Sequence, residues 1–228
     1  MRTSSSTVQK SDQSEVLFDT HHEVSLDFKH VKNALKDGYQ RPFLLVDSNI
    51  IRQKARRFKA AMPRVHPHYA VKANPDARVL TALIEENVGF EIASIAELDL
   101  LMQLGVPAAE IFYSNPMKSR AYLEYAASKG VEWYVLDSVE ELRKIVSVKP
   151  DAKMYLRIDT PNIGSDWPLA GKFGTHLGDI HEIIHEAVEL KADLAGVTFH
   201  VGSQCRNPQN WRVGIERAKK VFADMQMA

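Results

Sequence analysis

With a single cysteine, Cys205, among its 228 residues, the chain can form neither an internal disulfide nor a cysteine-based metal site, which suits a reducing compartment. A surplus of either charge is missing too. Lys+Arg and Asp+Glu both number 29, so no long-range field draws nucleic acid or anionic lipid, and neither is expected as a partner. No apolar run reaches the roughly 18 residues that a membrane-spanning helix requires. The opening stretch Met1 to Gln13 is rich in Ser and Thr and lacks the apolar core of a signal peptide, so it reads as a loosely held tail. With 45% hydrophobic and 25% charged residues, the remainder has the proportions of a soluble globular protein, expected in the cytoplasm.

What is present from His66 onward is an alternation of short apolar runs with longer segments of helical period, the pattern of a parallel sheet covered by helices. Candidate strands are 67–73, 88–93, 111–115, 132–137, 153–159 and 195–201. Most begin about 20 to 23 residues after the last, one strand, one helix and two short loops. Ser94-Ile-Ala-Glu97 and Ser138-Val-Glu-Glu141 read as capping boxes at helix starts. Gly89, Gly105 and Gly130 follow apolar helical stretches where a left-handed helix stop favours glycine. No hairpin dipeptides separate the units, which favours a (β/α) barrel of the TIM type over an open sheet. A closed barrel takes eight strands and typically about 250 residues, so the chain is expected to be truncated after about six strands. Three segments follow: a disordered tail over 1–13, an N-terminal segment leading into the barrel over 14–65, and a partial barrel over 66–228. Within the second, Pro42 to Asp47 reads as a strand and Ser48 to Met62 as a basic amphipathic helix.

Strand parity sends alternate side chains to opposite faces. It turns inward Ala70 and Lys72, Gly89 and Glu91, Tyr113 and Asn115, Val135 and Asp137, Tyr155 and Arg157, and Thr198 and His200. A barrel axis is a packed core, so charges belong at its rim, and the C-terminal rim is where barrel enzymes build their sites. Lys72, Glu91, Arg157 and His200 converge there, although each taken singly could be a structural ion pair. Lys72 ends an apolar strand, where partial desolvation would favour the free amine that Schiff-base chemistry needs. After the sixth strand, Gly202 lets the backbone turn and Ser203 can offer a hydroxyl and an N–H to an anion such as phosphate.

Tyr69-Ala-Val-Lys-Ala-Asn74, Phe90-Glu-Ile-Ala-Ser94 with Glu97, Leu156-Arg-Ile158, Lys172-Phe-Gly174 and Phe199-His-Val-Gly-Ser-Gln204 resemble, in order and spacing, the motifs of fold-type III pyridoxal-phosphate decarboxylases, whose barrel is alanine-racemase-like. The likeness runs from about Pro42 to the end. Within that family the chain looks most similar to bacterial ornithine or lysine/ornithine decarboxylases, through Asp166-Trp-Pro-Leu169 followed by Lys172-Phe-Gly174. The resemblance implies decarboxylation of ornithine to putrescine or lysine to cadaverine, steps of polyamine biosynthesis, with diaminopimelate as an alternative substrate. It implies pyridoxal 5'-phosphate as cofactor, held by Lys72 through a Schiff base, with His200 stacked on its ring. Ser203 would hold the phosphate, Arg157 would lie on the same side, and Ala70, Glu91 and Glu97 would line the site. Ornithine enzymes usually carry Asp where this chain has Glu91. The resemblance further implies a homodimer in the full-length protein. It places the glycine-rich phosphate loop, the acid facing the pyridine nitrogen, the cross-subunit residues and a C-terminal β domain beyond residue 228, so the fragment alone is expected to be inactive.

Two other readings compete. His181-Glu-Ile-Ile-His185 matches a zinc-hydrolase pattern, but its histidines flank an apolar stripe that already faces a core, so no metal is expected. The other is a non-catalytic homologue that keeps the fold for binding. Retention of Lys72 and His200 speaks for the enzyme.

Overall fold

The computed structural model describes residues 28–38, 42, 44–169 and 171–228. The Ser/Thr-rich tail expected over 1–13 therefore lies outside the described residues. Two compact units are distinguished, Met1–Ile50 and Ile51–Ala228. In the first, Phe28–Lys36 forms helix α1, which the sequence pattern does not announce. The strand expected over Pro42 to Asp47 is not formed by the described residues there: Pro42 and Leu44 to Asp47 have no regular structure, and Leu44 is 85% exposed. An apolar run gives a strand only where a neighbour supplies backbone partners.

Helix α2, Ser48–Ala61, is the basic helix expected there. Its cationic face is tied down rather than merely solvated. Arg52 donates to the Glu85 carboxylate and Arg56 to that of Glu86, while the Lys59 amine meets the Glu86 carbonyl.

The second unit is built on a six-stranded sheet, all parallel, in the order β1 (His68–Ala70), β2 (Gly89–Ile92), β3 (Ile111–Tyr113), β4 (Trp133–Leu136), β5 (Lys153–Ile158) and β7 (Asp193–Phe199). These are the six strands expected from the apolar runs, most of them trimmed at one or both ends. A helix follows each: α3 (Ala77–Ile84), α4 (Ile95–Gln103), α5 (Arg120–Ser128), α6 (Val139–Val148), α7 (Ile180–Glu189) and α8 (Gln209–Met227). Leu80, Leu98, Ile111, Leu123, Leu136, Leu142, Ile145 and Leu156 are sealed between sheet and helices. Each such side chain is worth about 1.5–3 kcal/mol in removed apolar surface. Among the described residues this is a barrel-type layout of six strands, with β1 and β7 at its edges.

Three details depart from the sequence reading. A small antiparallel pair, β6 (Ser165–Trp167) with β8 (Ser203–Cys205), lies in the long interval after β5 and the turn after β7. On β3 the parity is reversed: Tyr113 packs outward against Tyr134, while Phe112 stacks on Trp133 at a centroid separation of 4.8 Å. A three-residue strand of Ile, Phe and Tyr has no polar alternation to show which face is buried. Gly89 is not a helix stop. Asn87 takes the left-handed position at φ 52°, and Gly89 begins β2, where a Cβ would meet the His68 ring at 2.6 Å. Gly105 and Gly130 do have positive φ, as expected.

Ser94 caps α4 in both directions of a capping box. At α6 only half of the box forms. Ser138 accepts from the Glu141 N–H, but the Glu141 carboxylate is engaged by Lys144 and by the buried Lys118, whose Nζ lies 2.9 Å away. Among the described residues no helix is long and apolar enough to cross a membrane.

Candidate cofactor-binding site

At the C-terminal ends of the parallel strands lies a cavity of about 130 Å³ walled by Ala70, Lys72, Glu91, Ile92, Ala93, Ser114, Val135, Tyr155, Arg157, Thr198, Phe199 and His200. The topology explains the gathering, because parallel strands bring their C-terminal ends to one rim and parity turns one side chain of each inward. Of the residues singled out from sequence, Ala70, Lys72, Glu91, Arg157 and His200 share this wall. Glu97 and Ser203 do not.

Lys72 stands in a single 3-10 turn, Val71–Ala73, just past the end of β1. It is exposed, not partly desolvated as expected, because β1 is an edge strand and the barrel wall beyond it is open. Its amine has no hydrogen-bond or ion-pair partner among the described residues. Lys118, the other lysine near a strand end, is fully engaged. Its Nζ is buried and donates to the carbonyls of Asn115 and Val135 beside the Glu141 carboxylate, and burial lowers its pKa to about 8.

His200, half-buried at the end of β7, accepts the Gly202 N–H at its Nδ1, 2.9 Å away. Burial pushes the imidazole below its ordinary range, and the nearby Arg157 and Lys72 cations add to the effect, so the ring is neutral at pH 7. The Arg157 guanidinium lies 5.1 Å from the centre of the Phe173 ring, a contact that steadies a cation with no carboxylate bonded to it among the described residues. Glu97 is spent locally. Its Oε2 accepts from the N–H groups of Ala93 and Ser94, which holds in place the backbone of Ala93, itself part of the wall. Ser203 is exposed on β8.

Of two further wall residues, Tyr155 was expected inward from strand parity and Ser114 was not. The Ser114 and Tyr155 hydroxyls share a hydrogen bond of 2.8 Å, and Tyr155 is buried. Correct parity on β3 would have brought Ser114 inward, opposite Tyr155. Asn115, expected inward, instead donates to the Ala93 carbonyl, and Asp137 turns to the Gly174 N–H. His181 and His185 are exposed on α7, Glu216 pairs with Arg212 on α8, and no group of three potential metal ligands occurs among the described residues.

The set fits a phosphorylated aldehyde: an unpaired primary amine, a neutral aromatic face and a cation free of carboxylate bonds, all around one cavity. Comparison with known proteins agrees. Residues 48–228 match the family model described as pyridoxal-dependent decarboxylase, pyridoxal binding domain. The chain belongs to this family and carries its pyridoxal-binding domain.

Among curated relatives, ornithine decarboxylase of Schizosaccharomyces pombe is 39% identical over 180 residues, covering 79% of this chain and 42% of that protein. Antizyme inhibitor 2 of Xenopus laevis is 38% identical over 180 residues, covering 79% and 40%. Among solved structures, the Paramecium bursaria Chlorella virus arginine decarboxylase bound to agmatine superposes with a TM-score of 0.84 at 33% identity, covering 87% of this chain and 54% of that one. The Vibrio vulnificus lysine/ornithine decarboxylase with cadaverine gives 0.78 at 30% identity, covering 87% and 52%. SrLDC in complex with PLP and cadaverine gives 0.77 at 28% identity, covering 88% and 50%. The chain thus spans about two-fifths of these curated relatives and about half of the matched structures.

Proposed function

We propose that this chain is the cofactor-binding part of a decarboxylase acting on a basic L-amino acid, ornithine or lysine, and that the complete enzyme is a homodimer. The observation that carries the reading is the meeting of Lys72, Glu91, Arg157 and His200 at one rim cavity. Lys72 holds the cofactor through its free amine. His200 presents a neutral ring face, and Arg157, with Ser203 on the neighbouring turn, receives the phosphate. Glu91 and Ala70 close the side toward β1 and β2. When bound, the cofactor supplies a conjugated sink for the electrons left behind as a carboxylate departs as CO₂. The Tyr155 and Ser114 hydroxyls share one hydrogen bond, which leaves one O–H of the pair available as a donor in the cavity wall.

A second reading has its own support in the 38% identity to antizyme inhibitor 2: a homologue that keeps the fold for binding rather than catalysis. Release of CO₂ from ornithine, lysine, arginine and diaminopimelate by the complete enzyme separates the possibilities. Turnover of ornithine or lysine is expected. Preference for diaminopimelate or arginine would overturn the substrate assignment, and cofactor binding without release from any of the four would favour the binding homologue.

A further inference from the structure

The main chain at His200 is held by groups that no part of the proposed chemistry uses. Its own carbonyl accepts two hydrogen bonds, from Thr160 Oγ1 and from Asn162 Nδ2, each 3.0 Å long. Both donors lie just past β5, and both residues are buried. Asn162 does more than this one bond. Its Nδ2 also donates to the Thr160 carbonyl, its Oδ1 accepts the Leu169 N–H at 2.6 Å, and its main-chain oxygen accepts the Ser165 hydroxyl at 2.7 Å. Ser165 in turn abuts Gly202, where a Cβ would stand 2.4 Å from its hydroxyl oxygen. Gly202, at φ 92°, is the residue whose N–H is aimed at His200 Nδ1.

We propose that Asn162, assisted by Thr160, is a positioning residue for His200: it pins the carbonyl of His200 and the turn that follows, so that the Gly202 N–H occupies Nδ1 and leaves the ring as the neutral Nε2–H tautomer. A donor N–H facing Nδ1 is incompatible with a proton on that nitrogen, so protonation of His200 must break the Gly202 contact. The charges that face the ring are Arg157 from β5 and Lys72 from the turn after β1. Thr160 and Asn162 are neutral, and Asp159, the acid on the same exit, turns to His176 at 3.4 Å. Glu91 shares the cavity wall with His200, and no carboxylate is hydrogen-bonded or ion-paired to the ring among the described residues. The consequence for the proposed cofactor is a ring fixed in plane and charge before anything binds, which lowers the ordering cost on binding.

The inference rests on the reading of His200 as the cofactor's ring partner only for its effect on affinity, since the tautomer can be read in the chain without cofactor. The test is nitrogen NMR of the His200 imidazole, with its pH titration, in the parent chain and in Asn162→Ala, Asn162→Asp and Thr160→Val. The parent should show the Nε2–H form. Asn162→Ala should raise the pKa by about half a unit, as expected from loss of part of one hydrogen bond, and a fraction of the Nδ1–H form should appear. Asn162→Asp keeps the acceptor for Leu169 but not the donor to His200, and should behave like the alanine variant. Thr160→Val, a near isostere that should fold even where Asn162→Ala does not, should shift both readouts in the same direction by less. Folded variants with unchanged tautomer and pKa would overturn the proposal. Pyridoxal phosphate should bind a few-fold more weakly to the variants than to the parent; a parent that binds none would defeat the functional reading while leaving the tautomer result standing.

Discussion

Two lysines near strand ends show how environment divides like residues into different tasks. Lys118 is buried among carbonyls beside Glu141, so its amine is part of the fold, whereas Lys72 is exposed at the cavity with no partner among the described residues. Lys118→Ala leaves Glu141 buried with only Lys144 as counter-charge, and should cost about 3 kcal/mol of stability, read as a drop in the urea midpoint. Lys72→Ala should leave that midpoint nearly unchanged while abolishing any borohydride-reducible adduct; an adduct retained in that variant would show that another amine holds the cofactor. The histidines give a pH signature. His200 and His68 both titrate below the ordinary 6.5, burial being the main cause in each. The unfolded chain therefore takes up protons that the folded chain refuses. The stability they contribute is present above pH 6.5 and is lost as the pH falls through their folded values. Denaturation at about pH 7.5 and about pH 5 should show it, and His200→Gln should reduce the loss. Lys72, Glu91, Arg157 and His200 were legible because each is an ionisable residue at or near the C-terminal end of an apolar run, on the inward parity. Thr160 and Asn162 were not, because a buried loop residue that holds a backbone carbonyl has no periodicity to betray it.

The strands and helices of the barrel layout were legible from apolar periodicity and from serine caps. The failures fell where a neighbour decides. Glu141 abandoned its capping bond for Lys118, and the ribbon of β6 and β8 exists because the loop after β5 folds back onto the turn after β7, which no local pattern marks. The same dependence on neighbours governs α8. Gly214 lies so close to the Phe199 ring that a Cβ would meet it at 2.3 Å. Gly214→Ala should therefore push α8 from β7, and should cost about 1–3 kcal/mol despite alanine's higher helix propensity. A stabilised protein in thermal unfolding would show that the ring swings aside freely.

At the scale of the molecule, the sheet begins at β1 and ends at β7, and the described chain leaves both edges unpaired. Open edges present unpaired backbone groups to any other strand, so residues 1–228 alone should associate as concentration rises, visible in sedimentation. The cavity sits between the two edges at the shared rim and is walled by residues from both of them, so its completeness depends on the same closure. Borohydride reduction of the chain with excess pyridoxal phosphate, followed by peptide mapping, tests most directly whether Lys72 holds the cofactor, since reduction traps even a weakly bound adduct. A reduced pyridoxyl group is expected on the peptide bearing Lys72 and none on the peptide bearing Lys118. Labelling of Lys118 or another lysine in preference to Lys72, or no labelling beyond that of the unfolded chain, would contradict it.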